Sequence, residues 1–292
     1  MRADPLRVWN VPVLAEPHAR PRRGANARSL LRTVVGEYML VAGRWTWTQT
    51  LVHGLGLFGF DGATVRQALI RSAKEEWLER KRSGRRVRWR LSKMGWETTT
   101  DAHARVYRFA SGRADWNGRW LLLVVSTPDE RTRVLLRRRL GWVGFAVLPS
   151  GQAMISPHQE REAEARRVLA LLGLGEDAVS FAALAGSIGV PRRMIAAAWD
   201  LADLQHRYRA FVNQIKAMRP QSDRDVFVAH TKLIHEWRRF PYVDPGLPLE
   251  YLPAGWIGSE AKRLFDDRYA RWQPRAAQWF RGLDEDGDRD NP

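Results

Sequence analysis

The spacing of apolar residues changes period along the chain, and each change marks a new element. In ARSLLRTVVGEY, Leu30, Val34, Val35 and Tyr38 recur at helical spacing and form one apolar stripe. TQTLVHGL predicts a short second helix carrying Leu51, Val52 and Leu55. Beyond it, Val65, Ala68, Leu69 and Ser72 follow the i, i+3, i+4, i+7 pattern of a third helix, with Asp61 as its N-cap. Thr64, Gln67, Arg71 and Lys74 fall on the other side of that helix. The period then drops to two. In WLERKRSGRRVRWRL, Val87, Trp89 and Leu91 alternate with Arg86, Arg88 and Arg90 after a Ser83-Gly84 turn, so a hairpin with one apolar and one basic face is expected.

A helix through about residue 109 leads to a second region. RWLLLVVS (119–126) reads as a buried strand and PDERTRVLLRRRLGW as an amphipathic helix. GFAVLPSGQAMISP reads as a hairpin turning at Pro149-Ser150-Gly151, HQEREAEARRVLALLGLG as a helix and DAVSFAAL as a strand. That β-α-β-β-α-β order describes a ferredoxin-like domain. From about 190 to 281 the pattern is helical: Leu201, Leu204, Tyr208, Phe211 and Ile215 share a stripe, DVFVAHTKLIHEWRRF follows, and a last helix is interrupted at Pro274.

The chain therefore reads as an α+β multidomain protein. A disordered basic arm (1–25) precedes a winged helix-turn-helix (26–95), a linker helix (96–115) and a ferredoxin-like domain (116–188). A helical C-terminal domain (189–281) and an acidic tail (282–292) follow.

Gly54, Gly56 and Gly59 match G-x-G-x-x-G, with Glu79 downstream where a dinucleotide ribose would need it. A dinucleotide site requires a buried parallel strand after the helix, and the run here carries three arginines on one face. The glycines are expected in an inter-helix loop, and no cofactor is expected.

Charge sharpens the picture. The 292 residues carry a formal +16. Residues 1–93 hold 19 Lys/Arg against 7 Asp/Glu, whereas the remainder holds 29 against 25. Positive charge gathered in one third of a chain is a footprint for phosphate backbones. An interfacial membrane role would need a leucine-rich apolar side that the basic faces lack. No apolar run approaches the roughly 18 residues of a membrane span, and the N-terminus has no signal-peptide core, so a cytoplasmic protein is expected.

Three helices followed by a ribbon is the order of a winged helix-turn-helix, whose third helix enters the major groove of double-stranded DNA. Thr64, Gln67 and Arg71 are the candidate base readers, with Arg66 on a base or a phosphate and Lys74 on the same face. Arg82, Arg85, Arg86 and Arg88 are the candidate wing contacts, since guanidinium forks suit both guanine edges and phosphates.

Catalytic chemistry is sparse. The absence of cysteine excludes disulfides, thiolate zinc sites and a cysteine nucleophile. His230 and His235 are five apart, which does not align them on one helix face, and are expected to be satisfied polar residues. The LDEDGDRDNP tail lacks the glutamate that closes a calcium loop. No catalytic or metal-binding residue is assigned, and an enzyme is not expected. A nucleic-acid processing factor acting through the central domain is the alternative, and it would need Asp129, after the first central strand, to bind metal. A DNA-binding protein without an effector is a further possibility.

The run LIHEWRRFPYVDPGLPLEYLPAGW is similar to the C-terminal signature of the PaaX-like repressors, a family named for control of phenylacetate catabolism. TVRQALIRSAKEEWL with the RSGRR wing, and WNGRWLLLVVSTPDERTRVLLRRRLGWVGFAVLPSG, resemble the same family. The resemblance covers roughly residues 27–281. It implies a homodimeric winged-helix repressor of aromatic catabolic genes, with a Cas2-like ferredoxin domain, on an inverted-repeat operator. It also implies release by an aryl-acyl-CoA effector such as phenylacetyl-CoA. Such a thioester joins phosphates to an apolar end, so its site wants cations at the mouth and aromatics within. Arg207, Tyr208, His235, Arg238 and Arg239 are the candidate effector residues.

Overall fold

The computed structural model describes residues 26–40, 45–109, 116–148, 153–187 and 191–289. The basic arm and the Pro149-Ser150-Gly151 turn lie outside these residues. Two compact units are present. A helical unit holds the described residues within 14–108, 211–238 and 262–292, and a sheet unit holds those within 109–210 and 239–261.

In the helical unit, α1 (Ala27–Tyr38) starts where the Asn26 side chain accepts the Ser29 N–H at 2.7 Å. A short β1 (Thr46–Trp47) leads straight into α2 (Thr48–Gly56), and α3 (Gly62–Lys74) is capped by Asp61 as expected. Leu31, Val34, Leu51, Leu55, Val65 and Leu69 are fully buried, so the predicted apolar faces of the three helices make one core. Gly54 and Gly56 belong to α2 and only Gly59, at φ 86°, makes a turn, so the glycines cradle no phosphate loop.

β2 (Leu78–Ser83) and β3 (Arg86–Leu91) pair antiparallel, with β1 on the other edge of β3. Ser83 pairs with Arg86, which leaves Gly84 and Arg85 as the loop, one residue later than the sequence suggested. Gly84, at φ 58°, takes the left-handed conformation that the turn needs. Helix α4 (Lys93–Arg108) follows, and its first turn approaches the ribbon closely. A Cβ at Gly95 would lie 1.9 Å from the Trp77 carbonyl oxygen.

The helical C-terminal region expected over 189–281 contributes elements to both units. Helix α9 (Asp223–Trp237) and most of α11 (Gly258–Arg289) share the unit of α1. The reason is a second buried face on α1. The Tyr38 ring lies 5.1 Å from both Phe227 and Phe280, and its hydroxyl is 2.8 Å from His230 Nδ1 and 3.0 Å from Thr231 Oγ1. Glu37 accepts hydrogen bonds from Tyr107 at 2.5 Å and Tyr269 at 3.0 Å. Burial raises the Glu37 carboxyl above its ordinary range and lowers the His230 imidazole to about 3.

Helix α11 is not interrupted at Pro274. The carbonyl that proline leaves unpaired is that of exposed Ala270, where water can serve it, while Phe265, Trp272, Ala276 and Phe280 stay buried. Nor is 282–289 a free tail. The helix runs to Arg289, and Asp284 is buried, its Oδ1 accepting the Trp47 N–H and the Thr50 hydroxyl, both at 2.9 Å. Asp284 thereby serves the N-terminus of α2, whose own N-cap residue, Trp47, makes no side-chain capping bond.

In the sheet unit the β-α-β-β-α-β order is present: β4 (Arg119–Val125), α5 (Glu130–Val143), β5 (Ala146–Val147), β6 (Ala153–Ser156), α6 (Glu162–Leu171) and β7 (Ala178–Leu184). The strands lie in the order β5-β6-β4-β7, all antiparallel. Leu121, Leu123 and Met154 pack with Leu136, Leu140 and Leu169 of the two helices. On the opposite face Trp120 is buried among Trp116, Trp199 and Tyr251. Helix α7 (Pro191–Ala198), the start of α8 (Leu201–Ala217) and α10 (Phe240–Val243) complete this unit.

Candidate nucleic-acid interface

The Asp61 cap sets the start of α3: its Oδ1 accepts the Thr64 N–H at 2.8 Å and its Oδ2 the Thr64 hydroxyl at 2.9 Å. These two bonds to Thr64 hold the Asp61 carboxyl below its usual range. They also commit the Thr64 hydroxyl proton, so toward a base Thr64 offers only lone pairs. With Val65, Ala68, Leu69 and Ser72 buried, the outer face presents Thr64, Arg66, Gln67, Arg71 and Lys74, all exposed. The periodicity missed one neighbour. Ile70 is 42% exposed on the same side, an apolar group among cations.

On the ribbon, Arg82 and Arg85 are exposed, and Arg82 Nε donates to the Gly84 carbonyl at 3.1 Å, bracing the turn. Arg86 and Arg88 are half-buried. Their guanidinium groups lie over the Trp47 ring, at 5.6 and 3.9 Å from its centroid. Arg90 lies 4.5 Å over Trp45 and pairs with Glu79. The pairing register places Lys81, Arg86, Arg88 and Arg90 on one face, so tryptophans from before α2 order the arginines of β3. Arg80 and Lys81 are exposed cations of β2 that sequence reasoning passed over.

The five effector candidates divide between the two units: Arg207, Tyr208 and Arg239 belong to the sheet unit, His235 and Arg238 to the helical one. Tyr208 belongs to the sheet unit's packing, with its ring stacked 4.0 Å from Phe240 and its hydroxyl donating to Asp244 at 2.6 Å. Arg207 pairs with Asp203 one turn earlier, and Arg239 is exposed at the N-cap of α10. In the helical unit, His235 is buried with Nδ1 2.9 Å from Thr33 Oγ1, and Arg238 donates to the Ser29 hydroxyl at 3.4 Å. Hydrophobic spacing could not separate packing aromatics from a ligand site.

Asp129 is the N-cap of α5. Its two carboxylate oxygens accept the Thr132 N–H at 2.7 Å and the Thr132 hydroxyl at 2.8 Å. Among the described residues no group of three or more His, Asp or Glu could hold a metal, and no helix is long and apolar enough to cross a membrane.

An exposed polar and basic helix over a buried apolar face, with a basic ribbon in the same unit, belongs to the class of DNA-binding regulators. The chain is a member of the PaaX-like family of transcriptional repressors. Residues 26–95 match the family described as PaaX-like protein, 113–195 the PaaX protein central Cas2-like domain, and 199–282 the PaaX-like protein C-terminal domain. Transcriptional repressor PaaX of Escherichia coli (strain K12) is 31% identical over 270 residues, covering 89% of this chain and 84% of that protein. Uncharacterized protein Rv0674 from Mycobacterium tuberculosis shares the fold, with a TM-score of 0.59 at 21% identity, over 88% of this chain and 99% of that one. A repressor as curated relative is consistent with a chain that is not an enzyme.

Proposed function

We propose that this chain represses phenylacetate-type aromatic catabolic genes and that an aryl-acyl-CoA, such as phenylacetyl-CoA, releases it from DNA. The order α1, α2, α3 and a three-stranded ribbon supports a winged helix, with α3 in the major groove and the β2–β3 turn on the backbone. As a homodimer it reads an inverted repeat whose half-sites are about one helical turn apart, or a multiple of it. The observation that carries this reading is the outer face of α3, where Thr64, Arg66, Gln67, Arg71 and Lys74 are all exposed. Exposed Arg82 and Arg85 hold phosphates at the tip of the wing, while Arg86 and Arg88 act from their seats on Trp47. The processing reading loses support, because both Asp129 oxygens are engaged in capping α5.

The test is fluorescence anisotropy on labelled DNA from upstream of the chain's own gene, at one fixed salt concentration. Gln67→Ala and Arg71→Ala are expected to lose about 1–3 kcal/mol on the operator and far less on random DNA. Arg85→Ala should weaken both alike and shallow the salt dependence. Equal losses on both DNAs for the α3 variants would remove α3 as the reader. Binding that no CoA thioester disturbs would remove the effector.

A further inference from the structure

Three guanidinium groups and one carboxylate meet in the helical unit where α1, α3 and α9 come together. Arg28 and Arg32, one turn apart on α1, both pair with Glu75, the residue that ends α3, with Arg32 at 3.5 Å. Arg238, which ends α9, donates to Ser29 between them at 3.4 Å. The Arg32 side chain is only 11% exposed, and its guanidinium lies 4.9 Å over the Trp77 ring. The Nε atoms of Arg28 and Arg32 are buried and make no hydrogen bond among the described residues. Burial first, then the neighbouring Arg28, with Arg238 adding to both, lowers Arg32 to about 10 against the opposing pull of Glu75.

Arg28 and Arg32 share the single Glu75 carboxylate, and cations partly withdrawn from water on a shared counter-charge are costly to the chain alone. Arg238 gains something at the C-terminus of α9 from the helix dipole, but Arg28 and Arg32 sit in the first turns of α1, where a dipole opposes them. A tetrahedral dianion supplies what is missing: counter-charge, and acceptors for several guanidinium N–H groups at once.

We propose that Arg28, Arg32 and Arg238 form a binding site for the phosphate group of a small molecule, with Glu75 as the resident counter-ion that the phosphate displaces. The site rests on the reading of the chain as an effector-released repressor, and it supplies the coupling. Glu75 ends the helix assigned to DNA reading, so a ligand that takes its arginines away favours a different seating of that helix.

The probes are pyrophosphate, CoA, dephospho-CoA, phenylacetyl-CoA and free phenylacetate, titrated calorimetrically into the full chain and into three variants. Arg28→Gln and Arg238→Gln are expected to weaken the phosphate-bearing probes about tenfold or more each, with phenylacetate silent throughout. Glu75→Gln is expected to tighten them several-fold, a gain that a purely structural ion pair does not produce. The site falls if no phosphate probe binds the wild type or Glu75→Gln, or if all three variants bind as the wild type does. It falls too if the arginine variants weaken only duplex DNA, which would make the cluster a backbone contact. Thioester release of DNA that persists unchanged in both arginine variants overturns the site and leaves the effector reading standing. Phosphate binding that Glu75→Gln tightens but that never releases DNA keeps the site and removes the effector reading.

Discussion

Asp284 offers a direct test of whether the acidic end of the chain is a tail or a structural part. Its Oδ1 accepts two donors, the Trp47 N–H and the Thr50 hydroxyl, each at 2.9 Å, and the residue is 6% exposed. Asp284→Ala removes the acceptor shared by both donors where water has little access, at about 1–3 kcal/mol each before relaxation, which for Thr50 includes a turn toward the Leu283 carbonyl 3.4 Å away. Those two bonds are also the service that Asp284 gives the N-terminus of α2, a role of the kind for which caps are worth about 1 kcal/mol, already contained in that range. Some relaxation is expected, so the net loss should be about 2–4 kcal/mol. Asp284→Asn keeps the accepting oxygen and should lose less than about 1.5 kcal/mol, the difference being the charge on the acceptor. A chain cut after Gly282 should behave like the alanine variant. Urea unfolding followed by tryptophan fluorescence measures all three, with operator binding in parallel as a probe of the helical unit. A tail that merely shields the basic surface makes the opposite prediction: unchanged midpoints and tighter DNA binding on truncation. That outcome would refute the capping role of Asp284.

Three further expectations follow from local geometry. Ile70→Ser should weaken operator binding through loss of apolar contact with a thymine methyl, so replacing thymine by uracil should penalise the wild type more than the variant; equal penalties at every position would exclude that contact. Gly95→Ala places a Cβ 1.9 Å from backbone and should cost about 2 kcal/mol or more, read as a lower urea midpoint, and an unchanged midpoint would show that α4 shifts freely. His230 is held neutral, with its folded value near 3 and its unfolded value near 6.5, so protonation favours the unfolded chain. Stability should therefore fall as pH drops from about 6.5 toward 3, by up to about 1.4 kcal/mol per pH unit. The raised Glu37 carboxyl adds an opposite slope, losing stability as pH rises above the ordinary carboxylate range. His230→Gln should remove the first slope and expose the second in pH-dependent melting, and an unchanged profile would exclude His230 as its source.

The part proposed to face DNA was legible because its signals are local. Asp61, the spacing of Val65 to Ser72 and the alternation of Val87 to Leu91 each act over a few residues, and each element stands where they put it. Partnership was not legible. Val226, Phe227, Ala229, His230, Thr231, Leu233, Ile234, His235 and Trp237 are buried almost all around α9, which announces depth but not that α1 supplies the cover. The Pro274 break failed for a related reason. Proline penalises a helix only where its lost bond matters, and exposure at Ala270 and Pro274 is invisible in the residue order. Asp284 sits in a run of charges whose composition reads as solvated, and only its buried donors reveal a cap. The effector candidates rest on chemical type, a signal that buried Tyr208 and His235 give equally well as packed core.

Partners of α1 and β1 also arrive late. Thr33 waits 202 residues for His235, Tyr38 waits 192 for His230, Glu37 waits 232 for Tyr269, and the Trp47 N–H waits 237 for Asp284. Loops of that span close slowly, and during vectorial synthesis they cannot close at all until the far end has been made. A nascent chain with only its first hundred residues outside the ribosome carries its arginines but lacks the surfaces that bury Glu37 and Tyr38. The helical unit is thus closed only once α11 has been made, and proteolytic loss of that helix would unseat α1 from the opposite side of the unit.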